Sequence, residues 1–123
     1  MKTLLLLDTT AILFRAYFAF GNNPLVNSKG DETSVLFGFF NTLQKLLGER
    51  PFDAIAAALD SRTKTFRHEL DASYKANRPE TPPPLLKQIR ATADLLPRLG
   101  LPVLQRDGFE ADDLIATAAR QAQ

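Results

Sequence analysis

Short apolar runs alternate along this chain with stretches in which apolar residues recur every three or four positions. The runs stand at residues 3–7, 54–59 and 101–104. Their continuous apolar character predicts short strands that are buried on both faces. Because alternation of such strands with helices is typical of βαβ units, the pattern predicts an α/β domain with a central parallel sheet.

Four segments have the spacing of amphipathic helices, and they are predicted over residues 9–20, 33–47, 85–96 and from 110 onward. Thr9 or Thr10 is expected to cap the first helix, and Thr33 or Ser34 the second. Pro97 is expected to stop the third. No internal repeat and no domain boundary is evident, so the whole chain is predicted to be part of one domain.

Acidic residues follow two of the predicted strands and begin the last helix. Asp8 closes the first apolar run, Asp60 closes the second, and Glu110, Asp112 and Asp113 cluster at the helix start. In parallel sheets, ligands bind outside the carboxyl ends of the strands. Since Mg²⁺ and Mn²⁺ prefer carboxylate oxygens, the pattern predicts a divalent metal site that hydrolyses phosphodiesters.

The acids at the helix start also have a simpler interpretation. Carboxylates in a first turn complement the helix dipole, at roughly 0.3–1 kcal/mol each, but Asp8 and Asp60 favour the metal site. Asp112 and Asp113 lie about 100° apart around the helix, so both cannot face one small site equally. We predict Glu110 and Asp112 in direct contact with metal, and Asp113 acting through water.

A basic and then proline-rich segment, residues 61–84, follows the second run. It interleaves cations with aromatic residues, as expected where phosphates are gripped and bases stacked. Its candidate nucleic-acid contacts are Lys64, Phe66, Arg67, His68, Tyr74, Lys75 and Arg78. Lys75 and Arg78, three residues apart, are predicted to hold the reacting phosphate. The alternative is a solvated surface loop without function.

Composition narrows the class of protein. The chain has 123 residues, of which 45% are hydrophobic and 24% charged, with a formal net charge of +1. These values are typical of a globular domain. The chain has no cysteine, no apolar run near the ~18 residues of a membrane span, no GxGxxG or Walker A motif and no Ser-His-acid arrangement. A cytoplasmic location is expected.

Eight motifs occur in order along the chain. They are Leu7-Asp8, Leu13-Phe14-Arg15-Ala16, Ser28-Lys29-Gly30, Phe37-Gly38-Phe39, Leu59-Asp60, Thr65-Phe66-Arg67-His68-Glu69, Tyr74-Lys75-Ala76-Asn77-Arg78-Pro79 and Gly108-Phe109-Glu110-Ala111-Asp112-Asp113. Together the motifs resemble the 5′-nuclease domain of bacterial DNA polymerase I, over essentially the whole chain. The resemblance implies a PIN-like, three-layer α/β fold with a central parallel sheet, truncated after its third strand and following helix. It also implies a structure-selective 5′ to 3′ exonuclease and flap endonuclease that depends on Mg²⁺ or Mn²⁺ and acts in DNA replication and repair.

The resemblance further implies roles for individual residues. The acids that match the family's metal site, and with it catalysis, are Asp8, Asp60, Glu110 and Asp112, with Asp113 beside them. Tyr74, Lys75 and Arg78 would belong to an arch, residues 61–84, that admits the 5′ strand and contacts the scissile phosphate. Arg15 is a further expected DNA contact.

Two small departures and one large one accompany the resemblance. Thr9 and Ser34 stand where glycine is usual or common in the family, and Thr9 is expected to narrow the turn beside Asp8. The chain also stops at Gln123, whereas the resemblance implies a further strand with a Gly-Asp-x-Asp motif, the acids of a second metal and a helical hairpin module that binds duplex DNA. We therefore expect a part of a longer protein, or a chain that needs the rest of the domain or a polymerase domain as partner.

Residues 1–123 alone are expected to bind metal weakly and to cut DNA poorly, because a two-metal mechanism needs the ligands of both ions. Two other functions stay open on the sequence alone. One is a non-catalytic binder of DNA 5′ ends or flaps, and the other is a PIN-like ribonuclease.

Overall fold

A computed structural model of the chain describes residues 2–49, 51–60 and 81–122. The elements in these ranges are β1 (Leu4–Asp8), α1 (Thr9–Phe20), α2 (Ser34–Glu49), β2 (Ala54–Ala58), α3 (Pro83–Arg98), β3 (Val103–Leu104) and α4 (Ala111–Gln121). None of the helices described is long and apolar enough to cross a bilayer. Most of the predicted arch, residues 61–80, lies outside the described residues.

The three strands form one parallel sheet in the order β1-β2-β3. Its register pairs Asp8 with Ala58, so β1 and β2 end side by side. β3 is shorter than the predicted run because Pro102 has no N–H to give to the ladder, although its carbonyl accepts the N–H of Ala57 at 2.8 Å. The predicted central parallel sheet is confirmed.

The main core lies between one face of the sheet and the helices α1, α2 and α3. Its fully buried side chains include Leu13, Phe39 and Leu85. On the sheet, Ala57 belongs to this core, whereas the next residue, Ala58, is equally buried but belongs to the opposite face. That second face is covered by α4, which contacts β1 and β2. The sheet therefore lies between two helical layers, as the predicted three-layer fold requires.

The ends of α1 and α3 differ from the sequence predictions. Neither Thr9 nor Thr10 caps α1, since the strand turns directly into the helix and places Asp8 at the N-cap, where its Oδ1 accepts the N–H of Ala11 at 3.2 Å. Pro97 does not stop α3, which continues to Arg98. A proline in the last turn gives up only its own N–H bond, while its carbonyl remains able to accept.

The N-terminus of α2 is capped from another helix. Ser34 does not cap it, because its hydroxyl accepts the N–H of Leu25, and no capping bond from Thr33 is found among the described residues. Gln88 of α3 supplies the acceptor. Its Oε1 takes the N–H of Val35 at 2.9 Å and that of Leu36 at 3.3 Å. Since Gln88 is only 3% exposed, this contact fixes α3 against α2 inside the core.

Two glycines of α2 provide a matched test of how α1 and α2 pack. A Cβ added to Gly38 would lie 2.7 Å from the Cβ of Ala16, whereas one added to Gly48 would meet nothing within 4 Å. Gly38→Ala is expected to lower the free energy of unfolding by roughly 1–3 kcal/mol through overpacking. Gly48→Ala should raise it, by at most about 1 kcal/mol, through helix propensity. Urea unfolding of both variants measures this, and shifts of the same sign would contradict the close packing.

Candidate active site

Carboxylates from three segments line one cavity at the C-terminal edge of the sheet. Asp8 ends β1, Asp60 follows β2, and Glu110 and Asp112 lie at the start of α4. The cavity has a volume of about 380 Å³, and we call it the carboxylate cavity. The structure thus brings together four of the five acids that the sequence singled out.

Asp8 lies against other negative charges in this cavity. Burial raises the pKa of its carboxyl, the N–H of Ala11 opposes that rise, and the charges of Asp112 and Asp60 add to it. Asp112 is thus a near neighbour of Asp8, and its carboxyl group adds to the rise in the pKa of Asp8. Such a pair of carboxylates is stabilised by a shared proton or by a cation between them.

Asp60 connects four parts of the fold. Its backbone N–H donates to the hydroxyl of Thr10 at 2.9 Å, and its carbonyl accepts from the side-chain amide of Gln105, also at 2.9 Å. Its Oδ1 accepts the N–H of Ala111 at 2.7 Å. The last bond draws the start of α4, and with it Asp112, towards the ends of the strands.

Asp113 occupies a different position from Asp112. Its Oδ2 accepts the N–H of Glu110 at 3.1 Å, as in a capping box. It is not among the residues that line the carboxylate cavity, whereas Glu110 and Asp112 are. Glu110 is also the more buried residue, at 6% exposure. A metal-binding role for Asp113 stays a prediction.

Of the other predicted site residues, one lies away from the cavity and seven lie outside the described residues. Arg15 is exposed on α1 and does not line the carboxylate cavity. The seven predicted contacts of the arch, Lys64, Phe66, Arg67, His68, Tyr74, Lys75 and Arg78, lie outside the described residues. Among the residues that are described, no three acidic or histidine side chains already converge closely enough to hold an ion.

Sequence reasoning missed the two residues that position Asp60. Thr10 was expected only as a helix cap, and Gln105 was not singled out. Thr10 lies 50 positions from Asp60 in sequence and Gln105 lies 45 positions from it, so no local pattern signals either contact. Only the parallel pairing of the strands brings them together.

The adjacent threonines Thr9 and Thr10 predict opposite effects of the same substitution. Thr9 is fully buried, and its hydroxyl makes no hydrogen bond with the part of the chain that is described. Thr9→Val should therefore raise the free energy of unfolding by about 1 kcal/mol. Thr10→Val should lower it by about the same amount, because the N–H of Asp60 loses its acceptor. Thermal unfolding of both variants checks this, and stabilisation by Thr10→Val would contradict it.

The raised pKa of Asp8 predicts a pH-dependent effect of Asp8→Asn in the metal-free protein. As pH falls, the Asp8 carboxyl is protonated at a higher pH in the folded state than in the unfolded state. In the unfolded state its pKa is near 3.8. Stability contributed by this protonation is lost as pH rises through the raised pKa. Since asparagine keeps the N-cap, Asp8→Asn should raise the unfolding temperature at pH 7, and the gain should disappear towards pH 4.

Thermal unfolding in EDTA at the two pH values measures this effect. Asp94→Asn, at an exposed position of α3, controls for the general effect of removing one negative charge. If Asp8→Asn raises the unfolding temperature at pH 7 no more than Asp94→Asn does, the negative charges around Asp8 do not destabilise the fold, which would contradict the prediction.

The fold and this cavity define an α/β domain with a carboxylate site at the edge of a parallel sheet. A model of the family described as "5′-3′ exonuclease, N-terminal resolvase-like domain" matches residues 3–123, and the chain belongs to that family. The resemblance stated from the sequence motifs and the PIN-like fold class are thereby confirmed.

Curated relatives agree with this assignment. Over 120 residues the chain is 45% identical to the DNA polymerase I of Treponema pallidum, a match that covers 98% of this chain and 12% of that protein. It is 44% identical to the Synechocystis DNA polymerase I, covering 96% and 12%, and 41% identical to that of Deinococcus radiodurans, covering 98% and 12%. The chain thus spans about an eighth of the length of these relatives.

Proposed function

We propose that this chain carries the metal-binding wall of a 5′ to 3′ nuclease that hydrolyses phosphodiester bonds in DNA bearing a 5′ end or flap. The observation that carries the proposal is the convergence of Asp8, Asp60, Glu110 and Asp112 on one cavity. Membership of the 5′-3′ exonuclease family supports the nuclease class. The dependence on metal and the preference for flaps are our inferences.

The donor set of the cavity suits Mg²⁺ or Mn²⁺. All four acids offer hard oxygen ligands, and Asp8 and Asp112 are already neighbours. Mg²⁺ usually keeps several waters and binds proteins through one or two carboxylates, with substrate phosphate completing its shell. A pair such as Asp8 and Asp112 is therefore enough to begin a site. When bound, such an ion lowers the pKa of an attacking water and neutralises charge on the phosphate.

The chain's own residues set the geometry in which this chemistry would act. Four carboxylates in one cavity repel a phosphate, so the scissile phosphate is expected to enter the carboxylate cavity only together with a cation. The hydrogen bond from Ala111 to Asp60 holds the start of α4 in place. In the proposed enzyme, Lys75 and Arg78 of the basic segment hold the scissile phosphate, and Arg15 contacts the strand further away.

The proposal extends to the biological setting. Because the curated relatives are bacterial DNA polymerases, we propose that the nuclease acts on DNA in the bacterial cytoplasm, in replication and repair. We also propose that it works with the remaining part of its domain and with a polymerase part. A second metal ion would be held mainly by that remaining part.

A cleavage assay on matched substrates tests the proposed function. A longer polypeptide that carries the chain is incubated with a 5′-flap DNA, the same structure with an RNA flap, and a flapless duplex, in Mn²⁺ or in EDTA. We expect the DNA flap to be cut only with Mn²⁺. Faster cleavage of the RNA flap would favour a PIN-like ribonuclease. Salt-sensitive binding in EDTA without any product in Mn²⁺ would favour a non-catalytic binder of 5′ ends.

A further inference from the structure

A second cavity opens beside the carboxylate cavity and shares Thr10, Phe14 and Asp60 with it. Its volume is about 270 Å³. This is close to the lower limit of typical ligand pockets, roughly 300 Å³, so it fits one small group rather than a length of strand. We call it the Arg90 pocket, after the arginine of α3 at its rim. Any ligand in it would lie directly next to the four carboxylates.

The lining of the Arg90 pocket combines apolar walls with a charged rim. Phe14 of α1 and Ile89 and Ala93 of α3 line it, and all three half-buried side chains also pack against the hydrophobic core. Arg90 is exposed at the rim. An aromatic ring with aliphatic neighbours offers a surface for the flat face of a nucleobase or for a sugar. A guanidinium offers paired N–H donors that match a phosphate.

Charge singles out Arg90 within this part of the molecule. Among the described residues that line either cavity, it is the one cation, against four acids. It also has no carboxylate partner in the described part of the chain. Among the described residues of the two cavities, the four acids repel a phosphate and Arg90 attracts it. Arg90 is therefore the described cavity residue that can neutralise a neighbouring phosphate.

We infer that the Arg90 pocket is a subsite for one deoxynucleotide next to the scissile phosphate. Its base or sugar packs against Phe14 and Ile89, and its phosphate is bound by Arg90. This inference rests on the proposed function, because that function brings a DNA strand to the adjacent acids. It makes Arg90 a substrate-positioning residue on α3, outside both the acidic motifs and the basic arch.

Nuclear magnetic resonance titration of the 123-residue chain tests the subsite in the absence of hydrolysis. The probes are thymidine 5′-monophosphate, thymidine and inorganic phosphate, in EDTA. We expect the monophosphate to shift the amide signals of Phe14, Ile89 and Ala93, and to bind more tightly than either of the other probes. Arg90→Gln should weaken the monophosphate about tenfold, as for the loss of a charged hydrogen bond, and leave thymidine unchanged.

Arg98→Gln is the matched control, because Arg98 is an exposed arginine of the same helix that lines neither cavity. It should leave binding of the monophosphate unchanged. Three results would each overturn the subsite. They are equal affinities of the Arg90→Gln and Arg98→Gln variants for the monophosphate, absence of monophosphate binding to the wild-type chain, and amide shifts confined to another surface.

The outcomes for subsite and function are separable. Failure of a longer polypeptide that carries the chain to cut flap DNA, with the monophosphate still bound through Arg90, would count against the proposed nuclease and leave a nucleotide site. Flap cleavage with the monophosphate bound equally well by the Arg90→Gln variant would support the nuclease and overturn the subsite.

Discussion

Asp112→Asn is expected to weaken Mn²⁺ binding by the chain about tenfold or more, whereas Asp113→Asn should leave it nearly unchanged. The two residues are neighbours in sequence with the same side chain. Asp112 lines the carboxylate cavity and lies against Asp8. Asp113 instead accepts the N–H of Glu110. Asparagine at position 112 removes a charge that a cation would neutralise, while asparagine at position 113 keeps an acceptor for the cap.

Isothermal titration with MnCl₂, or the loss of the free Mn²⁺ signal in electron paramagnetic resonance, measures both affinities. Each variant controls for the other, since each removes one negative charge from the same turn of α4. Equal losses would mean that the measured affinity depends on the general acidity of the helix start. In that case the dipole interpretation of these acids would account for them better than a metal site.

Asp60→Ala is expected to reduce cleavage about 100-fold or more and also to destabilise the fold. Ala111, whose N–H donates to Asp60 Oδ1, is only 1% exposed. Removing the acceptor leaves that N–H without its partner, at a cost of about 1–3 kcal/mol. The loss of cleavage has a separate cause, since the substitution also removes a charge that helps to hold the cation.

Asp60→Asn separates the two causes. Its side-chain oxygen can still accept the N–H of Ala111, so we expect stability close to that of wild type. Its missing charge should leave cleavage nearly as low as in Asp60→Ala. Unfolding in urea and flap cleavage by a polypeptide that carries the chain measure the two effects. Wild-type cleavage by Asp60→Asn would show that the charge of Asp60 has no part in the chemistry.

The sequence predicted the strands and the acids of the site because both follow from local patterns. Continuous apolar runs ending in Asp8 and Asp60 specify buried strands, and parallel strands bring their carboxyl ends to one edge. Helix geometry also predicted that Asp112 and Asp113 cannot both face the cavity. The sequence analysis chose Asp112 for direct contact, and Asp112, not Asp113, is among the residues that line the cavity.

The contacts that the sequence did not predict join residues far apart in the chain. Gln88 caps α2 from a distance of more than fifty positions, and Thr10 and Gln105 hold the backbone of Asp60. Local spacing carries no information about such partners. The cap of α1 was missed for another reason. Asp8 is both the last residue of β1 and the N-cap of α1, and it also lines the cavity, whereas the sequence analysis assigned it to the metal site alone.

The most direct test of the metal site is anomalous diffraction from crystals of the chain grown with MnCl₂. We expect a strong Mn²⁺ peak inside the carboxylate cavity, coordinated by oxygens of Asp8 and Asp112, with Asp60 and Glu110 bound to it directly or through water. Mn²⁺ bound only at other carboxylates, with the carboxylate cavity empty, would contradict it.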